Sequence, residues 1–124
     1  MIEIKKSLNN DEIREYFTKY GLKYNDNSQM ILAKSGDEPI GFCLFYVCDK
    51  SIKLAYCYPD NDLMLLDGLV RSVLHFASEN LIEEAYFTDT APIEQLKKLG
   101  FIDDLSNKTL KMLGLLGNCE NCNK

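Results

Sequence analysis

The stretch from Lys53 to Asn80 constrains the fold more than any other part of the chain. It opens on the alternating segment Lys53-Leu54-Ala55-Tyr56-Cys57-Tyr58, turns at Pro59-Asp60-Asn61-Asp62 and continues as an apolar helix ending near Asn80. Alternation with a period of two predicts a strand, and the apolar recurrence after the turn predicts a helix. In that helix Leu63, Leu66, Val70, Val73 and Ala77 share one face, and Met64, Leu65, Leu69 and Phe76 widen it. Asp67, Arg71, His75 and Glu79 recur every fourth residue as a narrow wet side. A strand that feeds a helix through a short turn aims free backbone N–H groups and the positive end of the helix dipole at one place, which favours a phosphate. The turn lacks the glycines that let a phosphate approach the backbone. A plain corner without a ligand is therefore the competing reading.

Around this unit the chain reads as alternating short elements. Ile2 and Ile4 mark a first strand; Asn9 followed by Glu12 has capping-box spacing; and Ile13, Tyr16, Phe17 and Tyr20 recur on one helical face up to Gly21. After the polar loop Tyr24–Ser28, the runs Met30–Lys34 and Ile40–Cys48 predict an antiparallel hairpin about Ser35-Gly36-Asp37-Glu38-Pro39. A second reversal at Asp49-Lys50 makes the Lys53–Tyr58 strand the third of a meander. Glu84–Thr88 is a strand after the long helix, which implies a right-handed parallel crossover. Ala91–Leu99 is a shorter helix with Pro92 in its first turn and Gly100 at its end, and Phe101, Ile102 and Thr109–Leu113 give a hairpin-like return. The fold class is mixed α/β (α+β): a mostly antiparallel twisted sheet flanked by helices. Residues 1–113 form one domain and 114–124 a cysteine-containing tail.

Charge and cysteine content narrow the partners. Fourteen basic against nineteen acidic residues leave a formal charge of −5, which repels a polyanion, so no nucleic-acid partner is expected. No segment approaches the roughly 20 apolar residues of a membrane span, and the amino terminus carries no signal-like run, so a cytoplasmic protein without a membrane partner is expected. Three of the five cysteines, Cys43, Cys48 and Cys57, fall in strand-like apolar context and read as reduced, packed thiols. Cys119-x-x-Cys122 offers two thiolates at a spacing that suits a shared metal ion or a small disulfide, but a zinc site needs four ligands and no second pair lies nearby. Two tails of a homodimer are one way to complete such a site.

Two stretches carry a resemblance to a known family. Leu54-Ala55-Tyr56-Cys57-Tyr58-Pro59 followed by the long helix, and Ala91-Pro92-Ile93-Glu94-Gln95-Leu96-Lys97-Lys98-Leu99-Gly100-Phe101, are similar to the central strand, pyrophosphate turn and late helix of the GNAT family. Those proteins are acetyl-coenzyme-A-dependent N-acetyltransferases, and their late helix typically closes on Lys-Leu-Gly-Phe. With the order of elements, the resemblance extends to Leu113. It implies that acetyl-CoA, as substrate, lays its acyl arm between the Lys53–Tyr58 and Glu84–Thr88 strands. Backbone N–H groups of Tyr56, Cys57 and Tyr58 would polarise the thioester carbonyl, and those of Asp62, Leu63, Met64, Leu65 and Leu66 would hold the pyrophosphate. Amide donors aimed at a developing oxyanion stabilise direct acyl transfer to an amine, here a small-molecule or peptide acceptor.

The chain also departs from the family pattern. Asp62-Leu63-Met64-Leu65-Leu66-Asp67-Gly68 stands where the family has a basic or Gln residue and glycines, and Leu96 stands where it commonly has a tyrosine that protonates the leaving thiolate. One helix replaces the usual two in the first segment. No catalytic residue is assigned. Tyr56, Tyr58 and Tyr86 are read as strand aromatics, His75 as a solvated helix residue, and Cys57 as a packed thiol with no second histidine in the chain to activate it. The alternative to a transferase is a non-catalytic module of the same fold that binds a partner.

Overall fold

The computed structural model describes residues 2–112. The elements run β1 (Ile2–Lys6), α1 (Asn10–Lys19), β2 (Ser28–Ser35), β3 (Glu38–Cys48), β4 (Ser51–Tyr58), α2 (Leu63–Glu79), β5 (Glu84–Phe87), α3 (Ile93–Lys98), β6 (Ile102–Asp104) and β7 (Thr109–Leu110). One seven-stranded sheet has the order β1-β2-β3-β4-β5-β7-β6. Its pairs are antiparallel except β4 with β5, which the α2 crossover makes parallel. The expected hairpin, meander and crossover are all present. The tail from residue 114, with Cys119 and Cys122, lies outside the described residues.

Sequence chemistry accounts for the element ends. Asn9 caps α1 by accepting from the Asp11 and Glu12 amides at 3.0 and 3.2 Å. The reciprocal half of the capping box is missing, because the Glu12 carboxylate accepts from the Ser7 hydroxyl at 2.8 Å instead. Gly21, at φ 73°, takes the left-handed conformation that ends this helix. The β2–β3 reversal is tighter than expected: Glu38 and Pro39 already belong to β3, leaving Gly36 and Asp37 as the turn. The late helix is shorter than expected, since Pro92 stands at its N-cap and not within its first turn.

Helices cover both faces of the sheet. On one, Ile13 and Phe17 of α1 pack on Met30, Leu32, Phe42 and Leu44. On the other, α2 and α3 pack on Ile31, Phe45, Leu54, Cys57 and Phe87. Along α2 the buried residues are Leu66, Leu69, Val70, Val73, Leu74 and Ala77. Leu74 thus joins the core, while Leu63 and Met64, expected on the apolar face, are 39% and 88% exposed in the first turn. The wet side forms as expected, with Arg71 paired to Asp67 and His75 beside Glu79.

Candidate functional site

The site begins with a break in the β3–β4 ladder. Phe45 faces Leu54, but the next residue back on β3, Leu44, faces Tyr56, so Ala55 is an extra residue in β4. Such a bulge bends its strand and re-aims the side chains beyond it. Leu54 and Cys57 accordingly point into the α2 face, and Tyr56 joins the α1 face.

Beyond the bulge β4 loses its other neighbour. Parallel pairing with β5 ends at Leu54 and Phe87, and one further bond, from the Thr88 amide to the Leu54 carbonyl at 2.9 Å, closes the contact. The chain then turns, with the Ala91 amide donating to the Thr88 carbonyl at 3.1 Å. The hydroxyls of Thr88 and Thr90 both donate to the Ala55 carbonyl, at 3.3 and 2.6 Å. Among the described residues, Tyr56–Tyr58 have no strand partner on this side. The opening has the Tyr56–Tyr58 backbone as one wall and the Thr88–Ala91 turn as the other. Sequence reasoning misses Thr88 and Thr90, where the only signal is a Thr-x-Thr directly after a short strand.

Aromatic rings fill the α1 side of this wall. Tyr56 stacks on Tyr20 with centroids 5.0 Å apart, and Tyr58 stacks on Phe42 at 5.8 Å. Burial, with Tyr20 and Asp60 nearby, pushes the Tyr56 phenol above its ordinary range, so it keeps its proton at neutral pH. Tyr58 is half exposed. Tyr86 lies on β5, where a hydrogen bond with Glu84 raises its phenol. Cys57 is buried against Cys43, and His75 lies along α2 beside Glu79, away from the corner.

The corner between β4 and α2 is capped from within. Asp62 is the N-cap of α2, and its Oδ1 accepts from the Leu65 amide at 3.2 Å. The Leu66 amide donates to the Asp62 carbonyl at 2.9 Å as the first bond of the helix. Of the five residues expected to present amides to a pyrophosphate, Leu65 and Leu66 therefore spend theirs within the helix. Leu63 and Met64 hold the first-turn amides to which an α-helix supplies no carbonyl. The Asp62 carboxylate stabilises the helix dipole at the point where an anion would bind.

Behind the corner lies an apolar cavity of about 730 Å³, lined by Ile2, Ile4, Ile40, Met64 and Leu65 with Tyr58 and Asp62 at its edge. Its lining comes from β1, β3, the end of β4, the corner and the first turn of α2, with no residue from β5. Leu96, at the position of the family tyrosine, is fully buried and offers no proton. Among the described residues, no group of three or more His, Cys, Asp or Glu is placed to hold a metal, and no helix is long and apolar enough to cross a membrane.

No family model matches the sequence, and no curated protein does. Solved structures do match. The ribosomal-protein-alanine N-acetyltransferase of Brucella melitensis biovar Abortus superposes with a TM-score of 0.64 at 13% identity, over 90% of this chain and 99% of its own. The ribosomal-protein-S18-alanine N-acetyltransferase of Escherichia coli gives a TM-score of 0.60 at 11% identity, over 88% of each chain. The PaiA N-acetyltransferase of Thermoplasma acidophilum, in complex with coenzyme A, gives 0.59 at 13% identity, over 89% of this chain and 96% of its own. At such identities the likeness is one of architecture, and a mixed sheet flanked by helices in this order is the fold of the GNAT acyl-CoA N-acyltransferases.

Proposed function

We propose that this protein binds acetyl-CoA in the β4–β5 opening and transfers the acetyl group to an amine. The observation that carries this reading is the parting of the two strands after Leu54 and Phe87, next to a bulge at Ala55 that turns the Tyr56–Tyr58 backbone. A thin acyl-bearing arm would lie between the two strands where their pairing stops. Those main-chain donors of the Tyr56–Tyr58 segment that point away from β3 would stabilise the oxyanion as the amine nitrogen attacks the thioester carbon. The nitrogen gives up one proton to water as the C–S bond breaks, and the departing thiolate of coenzyme A takes a proton from water, since Leu96 has none to give. The pyrophosphate would rest on the Leu63 and Met64 amides.

Asp62 gives this reading a direct test. Its charge opposes a pyrophosphate, and Asp62→Asn removes that charge while keeping an N-cap side chain of nearly equal quality. Removing one unit charge near the bound anion at an effective dielectric between protein and water is worth about 1 kcal/mol, or roughly fivefold in affinity. Calorimetric titration of the native chain should give a micromolar Kd for acetyl-CoA, and Asp62→Asn should tighten it by about that factor. Free thiol release with a panel of amines then reports transfer.

A second reading is a partner-binding module of the same fold, favoured by the Asp62–Leu65 cap and by the exposed Tyr58, Met64 and Ile2 around the 730 Å³ cavity. Absence of heat at millimolar acetyl-CoA in both the native chain and Asp62→Asn selects it.

A further inference from the structure

Cys43 and Cys57 occupy directly opposite positions on neighbouring antiparallel strands. Their sulfurs lie 2.7 Å apart, and the two residues are 0% and 2% exposed. The pairing depends on the bulge. In the register set by Cys48 and Ser51 at the end of the hairpin, Cys43 would face Tyr56; the extra residue Ala55 shifts the ladder by one and brings Cys57 across. Facing residues in an antiparallel pair have Cα atoms about 4.5–5.5 Å apart, inside the range that a disulfide spans. Two sulfurs at 2.7 Å are within about an ångström of the bonded distance of about 2.05 Å, so closing the bond requires only a small approach.

We propose that Cys43 and Cys57 form a modification site at which a hydroperoxide closes a reversible cross-strand disulfide. One thiol attacks a peroxide oxygen to give a sulfenic acid and water. The neighbouring thiol then displaces the hydroxyl from that sulfur as a second water. The two sulfurs together lose two electrons, which reduce the peroxide, and both thiol protons leave in the waters. Hydrogen peroxide is little larger than water, whereas a bulky disulfide such as oxidised glutathione has no path to a pair this buried. Burial and the hydrogen bond with Cys57 push the Cys43 thiol well above its ordinary range, which makes the reaction slower than at an exposed thiol. The bond ties β4 to β3 on the side away from β5, so it stiffens one wall of the opening and leaves the gap itself free.

The test uses the full chain carrying Cys48→Ser, which removes the exposed strand thiol. The folded protein is treated with hydrogen peroxide, quenched with N-ethylmaleimide, and cleaved without reduction after Lys50 and Lys53, which separates the two cysteines. The expected product is a peptide pair joined through Cys43 and Cys57, two hydrogens lighter than the reduced pair and released by dithiothreitol. The unfolding midpoint should rise by about 10 °C on oxidation, because the bond closes a loop of about fifteen residues. Recovery of both cysteines as maleimide adducts or sulfinic acids would overturn the proposal. So would linkage of either one to Cys119 or Cys122, or a Cys43–Cys57 bond that appears only when oxidation is carried out in denaturant.

Discussion

Phe101→Ala is expected to lower the unfolding free energy by about 4 kcal/mol, a large share of the roughly 5–15 kcal/mol that keeps a domain folded. The side chain is fully buried in the core beneath α2 and α3, and the Arg71 guanidinium lies 5.6 Å over its ring. Its backbone is fixed on both sides. The Phe101 amide donates to the Leu96 carbonyl at 3.0 Å, and its carbonyl accepts from the Lys111 amide at 2.8 Å. Surroundings so held cannot collapse into the space left by the ring, so the lost transfer energy is joined by a cavity term. Phe101→Leu fills most of that space and should cost about 1 kcal/mol. Urea titration distinguishes the cases: a lower midpoint at constant slope is loss of stability, whereas a changed slope would mean that α3 had come away in the folded state. An alanine variant within 1 kcal/mol of the native chain would show that α3 does not close this core.

The residues that make the fold legible are those whose role is set by near neighbours in sequence. Alternation in Lys53–Tyr58, the apolar run from Leu63, and Gly100 before Phe101 each fix an element or its end without help from the rest of the chain. The candidate site is less legible because it is made of register and distance. Nothing in Leu54-Ala55-Tyr56 marks Ala55 as an extra residue; only its pairing against Leu44 and Phe45 does. The clamp of Thr88 and Thr90 on the Ala55 carbonyl joins positions 33 and 35 residues apart. Asp62 is a middle case. Its charge beside the corner is visible in the sequence, and an acidic residue just before an apolar helix is itself an N-cap signal, yet its hold on the Leu65 amide decides how many donors remain for a ligand. The exposure of Leu63 and Met64 has no local signal, since periodicity gives the face of a helix but not which of its turns the core covers.

Gly41→Val is expected to destabilise the protein by about 3 kcal/mol and to displace the corner on which the proposed function depends. A Cβ at position 41 would stand 2.8 Å from the Tyr58 carbonyl oxygen, 3.1 Å from Pro59 Cδ and 3.2 Å from Leu65 Cδ2. The nearest of these atoms is backbone and cannot rotate away. Relief requires the end of β4 to lift from β3, and Asp62 with the first turn of α2 must move with it, because Pro59–Asp62 is the whole connection. Gly36→Ala serves as a control of different physical origin: Gly36 has φ 64° with nothing within 4 Å, so alanine there meets open space and loses only about 1 kcal/mol to backbone strain. The two variants should also separate in ligand binding. Gly36 lies at the far end of the β2–β3 hairpin loop, and its variant should titrate acetyl-CoA as the native chain does wherever it remains folded. Gly41→Val should lose at least tenfold in affinity under the same conditions, because the corner that carries the Leu63 and Met64 amides is displaced. Equal affinities in the two folded variants would separate the corner from the ligand and leave only the strand opening to hold it.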